Sequence, residues 1–220
     1  MKLFIDTGNI SDIQKLCDIG IIDGVTTNPT LLAKEPGDYR ENLKKICSIV
    51  KGPVSGEVTA TDFAGMIQQG HDIAKIDQYM VVKVPLTRDG IKACKTLSSE
   101  GIRVNVTLCF TPGQALLAAK AGATYISPFV GRLDDIGTSG MDLIRDIVQI
   151  YGHYDFKTEI LVASCRGPMH VIEAAKLGAH IATCPPAVID ALFNHPLTAI
   201  GLEKFLKDWE KAHAAETVKA

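Results

Sequence analysis

Eight short runs of apolar and β-branched residues recur along the chain, and an amphipathic stretch separates each run from the next. Runs of this kind predict buried strands, and the stretches between them predict helices. Strands that alternate with helices are expected to form a parallel sheet covered by helices. The predicted strands lie near residues 2–6, 24–27, 54–58, 80–84, 103–107, 124–128, 159–163 and 180–184.

Residues with strong capping preferences mark the ends of several predicted helices. The expected start signals are Ser11 with Gln14 as a capping box and Thr111 with Pro112, and the expected stop signals are Gly20, Gly122 and Gly178. After the eighth strand, residues from about 187 to 218 are also predicted to be helical.

The length of 220 residues fits one (β/α)8 barrel, a fold that commonly needs about 200 to 250 residues. A doubly wound open sheet is the rival, but neither G-x-G-x-x-G nor G-x-x-x-x-G-K-[ST] occurs after an early strand. We therefore predict an α/β protein with a single TIM-barrel domain over 1–220 and a C-terminal helix over 198–218.

Composition argues against several classes of partner. A net charge of -2 gives no basic excess for nucleic acid, and no run approaches the roughly 20 apolar residues of a membrane span. The six cysteines form no C-x-x-C pair, so we expect reduced thiols and a cytoplasmic protein. The six histidines lack H-E-x-x-H or comparable spacing, so a metal site is not expected.

Polar side chains stand at the ends of seven of the eight predicted strands. In a barrel these ends form the mouth, where active sites lie. No obvious candidate follows the eighth strand. In chain order the candidates are Asp6, Asn28 after Thr27, Glu57, Lys83, Asn105 with Thr107, Ser127 with Arg132, and Ser164 with Arg166.

Lys83 is the most informative candidate, because all the other residues of 80–85 are apolar. Its side chain is expected to face the barrel interior, where burial and a nearby cation would favour the neutral amine that attacks a carbonyl. The alternative is a structural lysine that extends to the mouth and neutralises Glu57 or Asp6.

Three neighbours of Lys83 carry either a catalytic or a structural interpretation. Glu57 and Thr107 could hold a water for proton transfer, but Glu57 could also only pair with Lys83, and Thr107 could only cap a turn. Asp6 lies at the mouth, although it could instead cap the first helix.

Arg132, Ser164 and Arg166 follow the sixth and seventh strands, near the region where barrels often bind phosphate. Guanidinium geometry suits phosphate oxygens, so these residues predict an anionic substrate. The alternative is that both arginines only solvate the surface.

Five segments, in order and at the predicted strand ends, resemble the transaldolase family, specifically its small-subunit branch. The resemblance covers essentially the whole chain. The segments are Asp6-Thr7, Gly24-Val25-Thr26-Thr27-Asn28-Pro29, Val82-Lys83-Val84-Pro85, Ile126-Ser127-Pro128-Phe129-Val130-Gly131-Arg132 and Ala163-Ser164.

The resemblance implies a transaldolase of the pentose phosphate pathway that needs no cofactor. Lys83 would form a Schiff base with C2 of sedoheptulose 7-phosphate or fructose 6-phosphate. Glu57, through a water held by Thr107, would move protons, and Asp6 would accept the C4 hydroxyl proton. The dihydroxyacetone unit would pass to glyceraldehyde 3-phosphate or erythrose 4-phosphate. The implied binding residues are Asn28 and Asn105 for the hydroxyls of the retained unit and Arg132, Ser164 and Arg166 for the phosphate. Thr27, Ser127 and Phe129 are further predicted substrate-binding residues.

Two other functions stay open. Fructose 6-phosphate aldolases of the same family, which release dihydroxyacetone, carry glutamine and tyrosine where this chain has Glu57 and Phe129. A sugar-phosphate-binding barrel without chemistry is the other alternative, although it would not need an amine beside two carboxylates. Cys165 departs from the aromatic residue expected in many relatives.

The resemblance also implies a homo-oligomer, either a pentameric ring or a decamer. C-terminal helices would then reach across subunits. An apolar stripe of Leu202, Phe205 and Trp209 in the predicted C-terminal helix is compatible with such a contact.

Overall fold

A computed structural model describes residues 1–217, with side chains described through residue 213. Eight parallel strands close into a barrel in chain order, which confirms the predicted fold class. The strand predictions are correct to within two residues at each end. The strands are β1 (Lys2–Asp6), β2 (Gly24–Thr26), β3 (Val54–Glu57), β4 (Met80–Pro85), β5 (Val104–Cys109), β6 (Tyr125–Pro128), β7 (Glu159–Val162) and β8 (Ile181–Cys184).

Helices cover the outside of this barrel and connect successive strands. In the described residues they are α1 (Ile10–Cys17), α2 (Pro29–Leu32), α3 (Tyr39–Val50), α4 (Phe63–Ala74), α5 (Arg88–Ser99), α6 (Pro112–Ala121), α7 (Val130–Asp134), α8 (Gly140–Tyr154), α9 (Pro168–Leu177), α10 (Pro186–Phe193) and α11 (Pro196–Thr217).

The inner core of the barrel determines which side chains reach the mouth. Strand side chains alternate between the two faces, so a residue two positions after an interior residue also faces the interior, nearer the mouth. The interior cluster is Phe4, Val81, Tyr125, Leu161 and Ile181. Two positions further along lie Asp6, Lys83, Ser127, Ala163 and Thr183.

Helix caps agree with the sequence in α6 and α9 and differ in α1. Thr111 caps α6 as part of a capping box, and Gly122 and Gly178 end α6 and α9 with φ of 86° and 85°. The cap predicted at Ser11 is wrong, because Asn9 accepts the Asp12 amide at 3.0 Å and α1 already begins at residue 10. A carboxamide oxygen is a strong N-terminal cap, so the helix begins there.

The C-terminal region also differs from the single helix predicted over 187–218. The structure has α10 and α11, separated at Asn194 and His195. Pro196 disfavours helical backbone at the residue before it and provides no amide hydrogen, which accounts for the interruption. Residue 218 of the predicted C-terminal helix lies outside the described residues. Within the described part of the chain, no helix is long and apolar enough to cross a membrane.

The apolar stripe on α11 is exposed in the single chain. Leu202, Phe205 and Trp209 have exposed fractions of 59%, 72% and 65%. Side chains of this size are seldom left exposed together on a surface that binds nothing.

Candidate active site

A cavity of about 250 Å³ opens at the carboxyl ends of the strands. Its position follows from the barrel geometry, since interior side chains above the core cluster point toward the mouth. It collects nine of the predicted site residues: Asp6, Asn28, Lys83, Thr107, Ser127, Phe129, Arg132, Ser164 and Arg166. The cavity lining does not include the three others, Thr27, Glu57 and Asn105.

Lys83 occupies the centre of the site, on β4 between Glu57 of β3 and Asn105 of β5. Its side chain is only 6% exposed. The Nζ atom lies 2.9 Å from Glu57 Oε2 and donates a hydrogen bond to the Thr27 carbonyl oxygen at 3.0 Å. Both contacts are acceptors, and among the side chains described, through residue 213, the cation expected beside Lys83 does not contact Nζ. The amine must therefore lose a proton before it can attack a carbonyl, and Glu57 is the carboxylate in contact with it.

Glu57 contacts Lys83 and also lines a second opening. It lines an adjoining groove of about 540 Å³ between the α2–α3 connection and α4. Its carboxylate is 15% exposed, contacts Lys83 and is not part of the cavity lining. This placement lets Glu57 exchange protons with Nζ without occupying space at the cavity surface.

Asp6 accepts a hydrogen bond from one threonine hydroxyl, and a second threonine hydroxyl, on β8, contacts the first. Thr26 Oγ1 donates to Asp6 Oδ1 at 2.7 Å, and Thr183 Oγ1 lies 2.7 Å from Thr26 Oγ1. Each hydroxyl has a single proton, so with an ionised Asp6 the order of donation is Thr183 to Thr26 to Asp6. Among residues 1–213, Thr26 is the one hydrogen-bond donor to this carboxylate, which leaves Oδ2 for a substrate.

The pKa of the Asp6 carboxyl is raised above its ordinary value. Burial is the main cause, while the Thr26 hydrogen bond and the nearby Lys83 charge act in the opposite direction. Charge-assisted hydrogen bonds are the strong ones, so Thr26 contributes substantially to keeping Asp6 ionised.

Removal of the Thr26 hydroxyl is therefore expected to raise the pKa of Asp6 further. Thr26→Val should move the titration of this carboxyl to higher pH, because a hydrogen bond to the ionised form is lost. The carboxyl-carbon NMR signal of Asp6, assigned with Asp6→Asn, measures the shift. Thr26→Ser should titrate like the unmodified protein, and Thr183→Val should shift the signal less in the same direction. An unchanged titration in Thr26→Val would contradict the assigned hydrogen bond.

Thr107 contributes a buried hydroxyl that has no hydrogen-bond partner within the described residues. It lies on β5 and lines the cavity. A buried polar atom without a partner is costly, and such atoms in native proteins often serve a ligand or a water. Thr107 is therefore the side chain best suited to bind a water or a substrate hydroxyl here.

Asn105 sits below the cavity in a chain of hydrogen bonds across the barrel interior. Ser127 Oγ donates to Asn105 Oδ1 at 2.8 Å, and Asn105 Nδ2 donates to Ser55 Oγ at 3.2 Å. Thr27 Oγ1 donates to the Ser55 carbonyl oxygen at 2.7 Å. Ser127 reaches the cavity surface, whereas Asn105, which accepts its hydrogen bond, and Thr27 are completely buried.

Asn28 joins the cavity from the end of β2. Its Oδ1 accepts the Leu31 amide at 2.9 Å and thereby caps α2. The side-chain amide nitrogen stays available for a hydroxyl oxygen, because capping uses the oxygen.

The positively charged part of the cavity lies between α7 and the segment after β7. The Arg132 guanidinium lies 4.9 Å from the centre of the Phe129 ring, and Arg166 pairs with Asp135 at 2.6 Å. The two elements approach closely at Gly131, where a Cβ would overlap the Ser164 carbonyl oxygen and Arg166 Nε. The site can therefore present two guanidinium groups to one anion.

Comparison with known proteins identifies the family. The profile of "Transaldolase/Fructose-6-phosphate aldolase" matches residues 3–217. A "Probable transaldolase" of Nitrosopumilus maritimus is 59% identical over 97% of both chains. Another, from Anaeromyxobacter sp. (strain K), is 60% identical over 98% of this chain and 99% of its own. The chain belongs to the transaldolase/fructose-6-phosphate aldolase family. The predicted family is thus confirmed.

A solved structure supports the fold of this family member independently. The crystal structure of 3-hexulose-6-phosphate synthase from Salmonella typhimurium superposes with a TM-score of 0.66 at 19% identity. The match covers 87% of this chain and 92% of that one. At this identity the likeness concerns the barrel alone.

Four residues in or beside the cavity lining of this family member were not predicted as site residues: Thr26, Thr183, Cys165 and Cys184. Thr183 lies among apolar neighbours, and only the interior periodicity of β8 could have indicated it. The neighbouring Cys184 thiol and burial raise the pKa of Cys165 far above its usual range. Cys165 therefore stays a thiol that fills space under the phosphate region. All six cysteines are free thiols, as predicted.

Proposed function

We propose that this chain is a transaldolase that transfers a dihydroxyacetone unit between sugar phosphates. The observation that carries the proposal is the buried Lys83, whose Nζ contacts Glu57 at 2.9 Å and whose side chain lines the same cavity as Asp6. A structural lysine would be satisfied by one carboxylate, whereas a Schiff-base lysine needs a proton acceptor at Nζ and a base further along the substrate.

The first stage of the proposed reaction joins Lys83 to the ketose. Glu57 takes a proton from Nζ, and the free amine attacks C2 of the ketose phosphate. The carbonyl oxygen is protonated and leaves as water, which gives an iminium ion on Lys83. The Thr107 hydroxyl, which has no hydrogen-bond partner within residues 1–213, supports the binding of the water that carries protons between Glu57 and the carbonyl oxygen.

The second stage breaks the bond between C3 and C4. Asp6 takes the proton of the C4 hydroxyl, the C4 carbonyl forms, and the bonding electrons pass through the iminium to leave an enamine on Lys83. The aldose phosphate departs. An acceptor aldose phosphate then reverses these steps and regenerates the free amine, so the scheme is balanced without a cofactor.

The remaining residues of the site hold the substrate in this scheme. Ser127 and Asn28 bind hydroxyls of the retained unit. Asn105 accepts a hydrogen bond from Ser127, and the Thr27 carbonyl oxygen accepts one from Lys83. Arg132, Ser164 and Arg166 bind the phosphate, because two guanidinium groups and a hydroxyl share one side of the cavity. Fructose 6-phosphate or sedoheptulose 7-phosphate is the proposed donor.

Acceptor dependence tests this proposal. Incubation with fructose 6-phosphate alone should release little dihydroxyacetone, whereas added erythrose 4-phosphate should yield sedoheptulose 7-phosphate and glyceraldehyde 3-phosphate. Rapid release of dihydroxyacetone without an acceptor would show the aldolase instead. Binding without either product would show the sugar-phosphate-binding barrel.

Phe129 is the position where transaldolase and aldolase activity should separate. Its ring packs edge-on against Phe110 with centroids 5.8 Å apart and provides no proton at the cavity wall. We expect Phe129→Tyr to raise acceptor-independent release of dihydroxyacetone by about tenfold to a hundredfold, because a phenol can protonate the enamine. An enzymatic assay for dihydroxyacetone measures the release. Phe110→Tyr is the matched control, since Phe110 does not line the cavity, and equal release from both variants would refute this role.

Assembly and location are part of the same proposal. A pentameric ring or decamer would cover the exposed stripe of Leu202, Phe205 and Trp209 on α11. The enzyme is proposed to work in the cytoplasm within the pentose phosphate pathway, where its substrates are intermediates.

A further inference from the structure

His170 connects the segment after β7 to the neighbouring helix α7. The backbone N–H of Arg166 donates to His170 Nδ1 at 3.0 Å, and His170 Nε2 lies 2.9 Å from Asp134 Oδ2. The imidazole is thus placed between a backbone donor and a carboxylate. Neither contact touches the reacting atoms, and the mechanism above makes no use of His170.

These two contacts determine the tautomer of the ring. A nitrogen that accepts a hydrogen bond from a backbone amide must present its lone pair, so Nδ1 carries no proton. The proton lies on Nε2 and is donated to Asp134. The other oxygen of Asp134 accepts the Gly140 amide at 2.9 Å, which ties the carboxylate to the start of α8.

The segment that His170 supports has an unusual backbone. Ser164 has a φ of 61°, in the left-handed region that is costly for a residue other than glycine. Such a conformation persists only when neighbouring contacts enforce it. Val130 and Gly131 of α7 donate their amides to the carbonyl oxygens of Ala163 and Ser164, both at 3.1 Å. The His170 contact to Arg166 is the third point of support.

These contacts between α7 and the segment after β7 therefore hold both sides of the cationic region. Helix α7 carries Arg132 and Asp134, and Asp135, which caps α7, pairs with the Arg166 guanidinium at 2.6 Å. His170 connects the backbone of Arg166 to Asp134 of α7, while Asp135 holds the side chain of Arg166. Phosphate recognition by two guanidinium groups depends on their separation, so rigidity here affects affinity directly.

We propose that His170 is a positioning residue that holds Ser164 and Arg166 in the geometry that binds the substrate phosphate. The inference rests on the proposed function, because that proposal assigns these two residues to the phosphate. It concerns binding of the anion and leaves the chemistry at Lys83 and Asp6 unchanged.

Three replacements of His170 separate its two contacts. In His170→Asn the carboxamide oxygen corresponds to Nδ1 and can still accept the Arg166 amide. In His170→Gln the longer side chain places its amide nitrogen near the position of Nε2 and keeps only the donor to Asp134. His170→Leu removes both contacts. We expect the dissociation constant of inorganic phosphate to rise about fivefold to tenfold in the Gln and Leu variants and to stay within about twofold in Asn.

Isothermal titration with inorganic phosphate measures these constants without any turnover. In the transfer assay, KM for the sugar phosphates should rise by the same factor in the Gln and Leu variants, while kcat changes by less than about twofold. His153→Asn is the matched control, because His153 is an exposed histidine on α8 outside the cavity lining. Melting curves establish that each variant is folded.

Equal phosphate binding by the Leu variant and the unmodified protein would overturn the proposal, as would equal losses in the Asn and Leu variants. Absence of saturable phosphate binding to the unmodified protein would overturn it too. Failure of the proposed function is a separate result, recognised by the absence of a covalent adduct on Lys83 while phosphate binding still follows the expected order.

Discussion

Replacement of Lys83 by methionine is expected to abolish transfer of the dihydroxyacetone unit, with kcat/KM reduced by at least about 10⁴-fold. Methionine has a similar length and fills the buried site, but it provides no nucleophilic nitrogen. In the unmodified protein, borohydride added with fructose 6-phosphate should reduce the iminium and leave a permanent mass increment on the peptide that contains Lys83. The methionine variant should show no increment.

Lys83→Met leaves the Glu57 carboxylate without its cation, and the effect of this unpaired charge must be distinguished from the loss of the nucleophile. Glu57 is only 15% exposed and would lose its partner, so we expect a lower stability by about 2 kcal/mol. Adding Glu57→Gln to the methionine variant should recover most of this loss without recovering activity. Measured melting temperatures and transfer rates distinguish the two effects.

Lys2→Met is the matched control, because it also removes a lysine paired with a glutamate at 2.9 Å. Lys2 lies at the opposite end of the barrel, and its side chain is 48% exposed. Exposed pairs contribute little to stability, so this variant should keep both activity and melting temperature. Full activity in Lys83→Met, or an adduct on another lysine, would refute the Schiff base assigned to Lys83.

The sequence was informative wherever a local rule governed the structure. Buried parallel strands produce continuous apolar runs, so all eight strands could be predicted, and Lys83 was conspicuous as an ion inside one of them. The Gly122 and Gly178 caps were predicted for the same reason, because left-handed backbone favours glycine.

Other features depended on contacts between distant residues and could not be predicted in this way. Thr183 is a neutral hydroxyl in an apolar strand, and its importance comes from Thr26, which lies 157 positions away. Asn105 was expected at the cavity surface, but its depth is determined by Ser127 on the neighbouring strand β6 and by Ser55 on β3, two strands away. Single-strand patterns give the facing of a residue, whereas its depth depends on how the strands are staggered.

Replacement of Asp6 by asparagine has the other large expected effect: activity should fall while stability rises. Asp6→Asn removes the base for the C4 hydroxyl, so we expect kcat/KM to fall by about 10²-fold to 10⁴-fold. The asparagine oxygen can still accept the Thr26 hydroxyl at the Oδ1 position, so the geometry of the wall should be kept. Iminium formation at Lys83 should also survive, and borohydride should still trap the ketose.

Stability should increase in the same Asp6→Asn variant at neutral pH. Burial raises the pKa of Asp6 above 3.8, so the folded state holds this proton more tightly than the unfolded chain does. The unmodified protein therefore loses stability as pH rises from the pKa of Asp6 in the unfolded chain through its pKa in the folded state. Above both values the whole destabilisation by the ionised Asp6 is present. Asparagine has no such titration.

Thermal unfolding at pH 7 should show a melting temperature higher by about 2–4 °C in the variant. The difference should vanish as pH falls below the unfolded pKa, where Asp6 is protonated in both states. A lower melting temperature at pH 7 would mean that attraction to Lys83 outweighs the cost of burying the carboxylate.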